Sequence, residues 1–204
     1  RVYQLSSQQT GQSAESAPDN RLWSRFSPRR LDVESVRDAM LVLSGGLDRS
    51  PGGPHPFPPV DTWNFTQHNP FRAVYATDRR SVYLMIQRNR RHPTLALFDG
   101  ADANASTGQR RLSNVPTQAL YFLNNDFLHR QAAALAQRLA KRTADPAGRI
   151  RQAHQLALGR PATGEEVAQA REFITAYIAA ADETRAWDAW CRVLLGSNEF
   201  LYVN

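Results

Sequence analysis

Five charged residues in the middle of the chain have the types and positions expected of an anion-binding or loop-tying group. Arg79 and Arg80 precede a predicted strand, Asp99 follows it, and Arg110 and Arg111 precede a predicted helix. The planar fork of arginine binds carboxylates, sulfates and phosphates through paired hydrogen bonds. Two interpretations stay open here: a charged network that ties loops to helices, or a pocket for a sulfate, uronate or phosphate group.

Asp99 is also the one candidate for a catalytic role. Glycoside hydrolysis needs two carboxyl groups that flank the scissile bond at a defined separation. Asp102 follows in the same predicted loop and is a possible second carboxyl group. An enzyme acting on polysaccharide is therefore one hypothesis, and it requires Asp99 and a second carboxylate to converge in the folded chain.

Four aromatic residues form a second group, in a proline-rich segment over residues 47–79. They are Trp63, Phe65, Phe71 and Tyr75. Exposed aromatic rings bind sugars or peptides by stacking, whereas buried rings fill a core. Trp63 and Tyr75 are thus candidates for a binding platform, and core packing is the alternative.

Other catalytic and cofactor motifs are absent from the sequence. No two histidines are spaced as a helical metal pair, which leaves only a distant three-histidine site from His55, His68 and His92. No serine lies in a Gly-x-Ser-x-Gly elbow, and no glycine-rich phosphate loop follows a strand. The single cysteine, Cys191, excludes an internal disulfide and a Cys-x-x-Cys-His haem site. We expect no metal or cofactor in this chain, and these absences disfavour an enzyme without deciding the question.

The charge and the hydropathy exclude further classes of function. The net charge is +6, and Lys141 is the only lysine among 25 basic residues. The arginines are scattered, without a nucleic-acid-binding motif or basic stripe, which disfavours a nucleic-acid partner. A basic surface still suits an acidic polysaccharide. The longest apolar runs, such as residues 82–86, are too short to span a membrane.

The first half of the chain predicts one helix, one strand and long loops. Asp32 is the predicted N-cap of a helix that extends to Ser44, with Arg37 on its polar face and Gly45 as its stop signal. Prolines and glycines predict irregular structure over residues 47–79. Residues 81–87 are β-branched, aromatic and apolar, and they are the one good strand candidate.

From residue 115 onward the sequence predicts a bundle of antiparallel helices joined by short capped turns. Asp126 is the predicted cap of one helix, Asp145 opens the next, and a capping box starts at Thr163. A last helix is predicted over about residues 184–197, burying two tryptophans and Cys191. The fold class is therefore mainly α: a bundle of about five to six helices with a small β element and long ordered loops.

The domain boundaries follow from composition. Residues 1–20 are rich in Ser, Gln and Ala and predict a linker or the tail of a preceding region. Residues 21–204 predict a single mainly helical domain, with a loop-rich first half (21–114) and a helical bundle (115–204). We interpret the chain as a C-terminal piece of a longer protein.

Several short motifs in order along the chain give a family resemblance. Residues 110–125 read Arg-Arg-Leu-Ser-Asn-Val-Pro-Thr-Gln-Ala-Leu-Tyr-Phe-Leu-Asn-Asn. The other motifs are residues 31–41, 79–83, 98–99, 158–166 and 197–202. Together they resemble the PSD-one family, a C-terminal domain of unknown function in large exported proteins of planctomycete type.

The resemblance implies a setting rather than a mechanism. Such proteins carry an upstream partner domain and often an N-terminal c-type cytochrome segment, so a c-type haem belongs to a region upstream of this chain. The implied location is exported, in the periplasm or cell envelope, with a linked role in polysaccharide breakdown or electron transfer. The implied partners are other domains of the same polypeptide, and the family offers no catalytic residue to carry over.

Three hypotheses on function follow. The first is a non-catalytic scaffold or docking module of an exported, multidomain, cytochrome-like protein. The second is a binding module for acidic polysaccharide that uses the arginines with Trp63 or Tyr75. The third is the polysaccharide-acting enzyme that uses Asp99.

Overall fold

The computed structural model of the chain describes residues 4–8, 11, 19–54, 58–71, 76–88 and 90–203. Eight α-helices and a two-stranded sheet have their bounds within these residues. The helices are α1 (Val33–Ser44), α2 (Pro93–Leu97), α3 (Pro116–Asn124), α4 (Asp126–Arg142), α5 (Pro146–Leu158), α6 (Gly164–Ala180), α7 (Glu183–Leu195) and α8 (Asn198–Leu201). The strands are β1 (Arg29–Arg30) and β2 (Tyr202–Val203). The mainly helical fold class with a small β element is confirmed.

Helix α4 is the centre of the bundle. It packs against α1, α5 and α7, and α6 packs against α5 and α7. Leu128, Leu135 and Leu139 of α4 are fully buried because they recur on one face of the helix. Burying each such side chain contributes about 1.5–3 kcal/mol to folding. Met40 of α1 belongs to the same core cluster, so the first helix completes the bundle rather than lying apart from it.

The predicted helix ends are largely confirmed. The Asp32 carboxylate accepts a hydrogen bond from the Ser35 backbone N–H at 2.8 Å, and Gly45 ends α1 with a left-handed φ of 83°. Asp145 caps α5, and Thr163 opens α6 with a complete capping box. One cap was predicted one residue too late. The cap of α4 is Asn125, whose side-chain oxygen accepts from the Phe127 N–H at 2.9 Å.

The strand predicted over residues 81–87 is wrong. Ser81–Tyr83 form a 3₁₀ turn, and irregular chain follows it. Helix α1 holds the start of this segment, since the Asp38 carboxylate accepts from the Ser81 N–H at 2.8 Å. The next amides bond within the turn, where the Tyr83 N–H donates to the Arg80 carbonyl and the Leu84 N–H to the Ser81 carbonyl. Leu84 and Met85 are still buried, so the apolar pattern correctly marked a buried segment but not its backbone shape.

The actual sheet is formed by residues that carry no strand pattern. Strands β1 and β2 are antiparallel, with Arg29 opposite Val203 and Arg30 opposite Tyr202. This pairing joins the chain before α1 to the chain after α8. Two-residue strands are too short for a periodic signal, so their pairing is decided by the packing of the helices that they flank.

No helix in the described part of the chain is long and apolar enough to cross a membrane.

Candidate functional site

A cleft of about 440 Å³ lies between α1, α3 and the C-terminal end of α7. This volume lies within the range of ligand pockets. Most of its walls are apolar. The principal apolar side chains are those of Val36, Met40, Phe98, Phe122, Leu123 and Phe127.

The cleft exists because α3 is short and is held at both ends. Pro116 suits the first turn of α3, where a backbone N–H is not needed for helix hydrogen bonds. Asn125 is both the C-cap of α3 and the N-cap of α4, so the two helices follow each other directly. Phe122 faces the core while Leu123 is 62% exposed. As a result α3 closes one side of the cleft with apolar side chains and leaves others at its mouth.

An aromatic cluster builds the inner wall. The rings of Phe98, Tyr121 and Phe122 meet edge to face, with centroids 5.2–5.6 Å apart. Burial raises the pKa of the Tyr121 phenol, while the Thr94 hydrogen bond and the charge of Arg37 lower it by less. Tyr121 therefore remains a neutral hydroxyl at physiological pH, and the wall is rigid and largely apolar.

One border of the cleft is an ion-pair network around Arg30. The Arg30 guanidinium donates to Asp99 Oδ2 at 3.3 Å, to Gln118 Oε1 at 3.1 Å and to the Ser113 carbonyl. Asp99 also accepts from the Ser113 N–H at 2.7 Å and from its hydroxyl at 2.9 Å. The network ties β1, the end of α2 and the start of α3 together.

The environment of Asp99 explains its backbone and its ionisation. Asp99 has a left-handed φ of 61° just after α2, and the Gly100 N–H bonds the Leu95 carbonyl in a Schellman-type turn. Partial burial raises the pKa of Asp99, but the Ser113 and Arg30 hydrogen bonds together bring it below its ordinary value. Asp99 is therefore an ionised structural anchor whose oxygens are already occupied.

A second border is formed by Arg37, which the sequence placed on the polar face of α1. That placement is wrong, because Arg37 is buried at 9% exposure. Its guanidinium donates to the Arg79 carbonyl at 2.9 Å and to the Thr77 carbonyl, and it lies 5.5 Å from the Phe127 ring centroid. Burial lowers the pKa of Arg37, and the nearby Asp38 carboxylate opposes that effect. Arg37 thus holds residues 77–81 against the bundle.

Comparison with known families decides which family this fold represents. The family model PSD1, described as a protein of unknown function (DUF1553), matches residues 1–174. The chain belongs to the PSD1 family. The family part of the resemblance inferred from the motifs is therefore confirmed, and the planctomycete and cytochrome associations stay predictions. No curated protein and no solved structure matches the chain significantly.

The residues predicted as an anion site in this PSD1 chain are placed in separate pairs. Arg79 Nε lies 3.3 Å from Asp48 Oδ2, and Arg110 forms two hydrogen bonds of 2.6 and 2.9 Å with Glu34. Arg80 and Arg111 are exposed. Among the described residues, no ion pair joins two members of the predicted group, and none of them lines the cleft. Their role in binding a ligand stays a prediction.

The predicted aromatic platform also lies away from the cleft. Trp63 is 48% exposed, and its indole N–H donates to the Pro58 carbonyl at 2.8 Å. Phe65 is exposed and contacts Phe71 with ring centroids 4.8 Å apart. Tyr75 lies outside the described residues. Neither Trp63 nor Phe65 belongs to the buried core clusters of the described chain.

The described lining of the cleft is mostly apolar, with a few arginine, amide and hydroxyl side chains. Among the described residues that line it there is no aspartate, glutamate, histidine, cysteine or serine. No group of three potential metal ligands occurs in the described part of the chain; His55, one of the three candidate histidines, lies outside it. The described lining of the cleft therefore offers apolar contact, arginine and amide donors and the hydroxyls of Thr94 and Tyr121, without a carboxylate base.

Sequence reasoning missed the residues that build this site. Arg30, Arg37 and Arg192 line the cleft, yet the sequence marked none of them as a candidate binding residue. The available signal is Gln118, a polar residue inside the apolar helix α3, which is buried and whose amide donates to the Leu97 carbonyl at 3.0 Å. A buried polar side chain inside an apolar helix needs a partner, and tracing that partner leads to Arg30.

Proposed function

We propose that this PSD1 chain is a non-catalytic docking module whose cleft receives an apolar segment from another domain of its parent polypeptide. The parent is an exported, cytochrome-associated protein of the cell envelope. In this proposal the c-type haem belongs to the upstream region, and this chain holds no cofactor.

The observation that carries the proposal is an apolar cleft whose mouth is also apolar. At the mouth Leu123 is 62% exposed and Val193 is 57% exposed. Leu120, which lies on the same face of α3 as Leu123, is likewise exposed. Exposed apolar side chains gathered around a cleft are typical of a protein-interaction surface. A site for a small soluble ligand would bury such side chains or replace them with polar groups.

The state of the charged side chains supports the same conclusion. Asp99 and Arg30 satisfy each other, Arg37 is engaged by backbone carbonyls, and Arg160 forms ion pairs with Glu166 and Glu199. Groups held in this way stabilise the shape of the surface. They provide a rigid frame for docking, in which the entropy cost of binding is small.

Hydrogen exchange on the parent polypeptide tests the proposal. We expect the amides of α3 and of the last turn of α7 to exchange more slowly in the parent than in the isolated chain. Equal exchange at these amides in both forms would refute docking at the cleft.

A pair of substitutions then links the protection to the cleft. Leu123→Gln should weaken docking about five- to thirtyfold, since a leucine that becomes mostly buried on docking contributes about 1–2 kcal/mol to the binding free energy. The matched control is Ile178→Gln on α6, which is 41% exposed and does not line the cleft. If the control weakens docking equally, the protection arises elsewhere.

A further inference from the structure

The charges that line the cleft have one sign. Its described lining contains three arginines, Arg30, Arg37 and Arg192, and no carboxylate. An occupant that carries a negative charge is therefore favoured over a neutral or positive one. How much each arginine contributes depends on whether its charge is already compensated inside the protein.

Two of the three charges are compensated. Arg30 lies 3.3 Å from the Asp99 carboxylate, and Arg37 lies 3.5 Å from the Asp38 carboxylate. Both guanidinium groups also donate to backbone carbonyls and are largely buried. These two arginines set the shape of the cleft more than they attract a ligand.

Arg192 is different. It lies in the last turn of α7, and in the described chain no carboxylate oxygen is within 4 Å of its guanidinium. Its side-chain contact is the ring of His129, with Nη1 3.3 Å from Nε2 and 3.5 Å from Nδ1. The imidazole supplies no negative charge, so Arg192 has no carboxylate partner in the described chain.

The neighbouring groups on α7 do not remove this charge. Asp188 lies one helical turn before Arg192, and both line a second, smaller cavity of about 170 Å³. Asp188 nevertheless forms no ion pair with Arg192, and its buried Oδ1 atom has no hydrogen-bond partner among the described residues. Arg185, one turn before Asp188 on α7, forms its ion pair with Asp182 at 3.4 Å and not with Asp188.

His129 connects this cation to the mouth of the cleft. The His129 Nε2 atom is 2.9 Å from the Leu123 carbonyl, so a proton on Nε2 is donated to the end of α3. The nearly equal distances from Arg192 Nη1 to the two ring nitrogens place the guanidinium over the face of the imidazole ring, rather than on the lone pair of one nitrogen. The guanidinium is thereby placed beside the end of α3, and Arg192 lines the cleft together with Leu123 and Val193.

We infer that the segment received by the cleft carries an apolar side chain followed closely by a carboxylate, which Arg192 binds at the mouth. This inference rests on the proposed docking function and names the chemistry of its partner. The apolar side chain enters between α1 and α3 and contacts the aromatic wall. The carboxylate accepts hydrogen bonds from the Arg192 guanidinium, which is a charge-assisted and directional contact.

Two isosteric peptides test the inference, acetyl-Phe-Leu-Asp-amide and acetyl-Phe-Leu-Asn-amide, titrated into the 204-residue chain and followed by amide chemical shifts. We expect the Asp peptide to bind about five- to tenfold more tightly at low salt, and the ratio to fall as salt is added. Arg192→Gln should reduce the ratio to about one while leaving the affinity for the Asn peptide unchanged.

Two further variants act as controls. Arg185→Gln removes the same charge from the same helix, at a residue that does not line the main cleft, and should leave the ratio unchanged. Arg192→Lys keeps the charge and should retain most of the preference, which separates a charge effect from a folding defect.

The outcomes distinguish the two proposals. If neither peptide shifts the amides of α3, both the docking function and its partner chemistry are refuted. If both peptides bind with equal affinity, docking stands and the carboxylate preference is refuted. An equal loss of preference in the Arg185 and Arg192 variants would show general attraction by the basic surface, and would also refute the role of Arg192.

Discussion

Replacing Glu166 by glutamine should make the stability of this chain less dependent on pH. Glu166 lies in the first turn of α6, where it accepts from Arg160 at 2.6 and 2.9 Å and from the Thr163 N–H at 2.7 Å. Arg160 also binds Glu199 at 2.6 and 2.7 Å, so its guanidinium joins the start of α6 to α8. Glutamine can keep the capping box but cannot form the ion pair.

The size of the effect follows from the ionisation of Glu166. The Arg160 hydrogen bonds, with that of the Thr163 N–H, lower the pKa of Glu166 from 4.5 to about 2. Without screening, that difference corresponds to about 3 kcal/mol of unfolding free energy at neutral pH. The Glu166 side chain is 29% exposed and that of Arg160 is 36% exposed, so solvent is in contact with the pair. We therefore expect a loss of about 1–2 kcal/mol in Glu166→Gln.

The direction of the pH dependence follows from the lowered pKa. Because the folded pKa lies below the unfolded one, the stabilisation is complete above about pH 4.5 and is lost as the pH falls towards 2. Urea unfolding of the unsubstituted chain and of the Glu166→Gln variant should be measured at pH 7, 5, 4 and 3. The difference in their unfolding free energies should shrink between pH 5 and pH 3. The slope of unfolding free energy against urea should stay the same.

Glu165 supplies the matched control for this experiment. It lies in the same first helical turn and carries the same charge, but its side-chain partner is Gln169 rather than an arginine. Glu165→Gln should cost only about 0.3–0.5 kcal/mol through the helix dipole. Equal losses in the two variants, or a Glu166→Gln loss that is as large at pH 3 as at pH 7, would refute the ion-pair explanation.

Three further predictions concern groups whose role the structure assigns to stability. Asp99→Ala should lower the unfolding free energy by about 2–3 kcal/mol, since the largely buried Arg30 loses its carboxylate, and circular dichroism should show a folded protein at pH 7. Arg37→Ala should cost about 3 kcal/mol in urea unfolding because it leaves buried carbonyls unpaired; a loss below about 1 kcal/mol would contradict the burial of this guanidinium. The Cys191 thiol is fully buried, and burial followed by the charge of Asp188 raises its pKa, so a thiol reagent should label it only at the rate of unfolding. Rapid labelling of the native protein would contradict that placement.

The helices were predictable because their signals are local. Asp32, Gly45, Asp145 and Thr163 each act within one turn of their own position, and the structure confirms all four. Leu135 and its neighbours in α4 recur at helical spacing, which identifies the buried face without knowledge of what covers it. Such information is complete within a short window of sequence.

The strand and the charged site were not predictable in this way. Residues 81–87 have the composition of a strand, but a strand needs a neighbouring strand. Here the Ser81 N–H bonds Asp38 of α1 and the next amides bond within a 3₁₀ turn. Arg79 and Arg110 were grouped with Asp99 because they flank neighbouring elements, whereas their actual partners are Asp48 and Glu34. An ion pair depends on positions in space, and many arrangements satisfy the same sequence.

The amino-acid sequence by itself determined the helical class, the helix ends, the family and the absence of a haem-binding motif, because each depends on residues that are close together in the sequence. The tertiary structure alone decided that α1, α3 and α7 enclose an apolar cleft and that Arg192 borders it with no carboxylate partner among the described residues. The residues involved are up to about 160 positions apart along the chain, and their approach is set by how the helices pack. A local pattern carries no information on such distances, so the cleft becomes visible only in the folded chain.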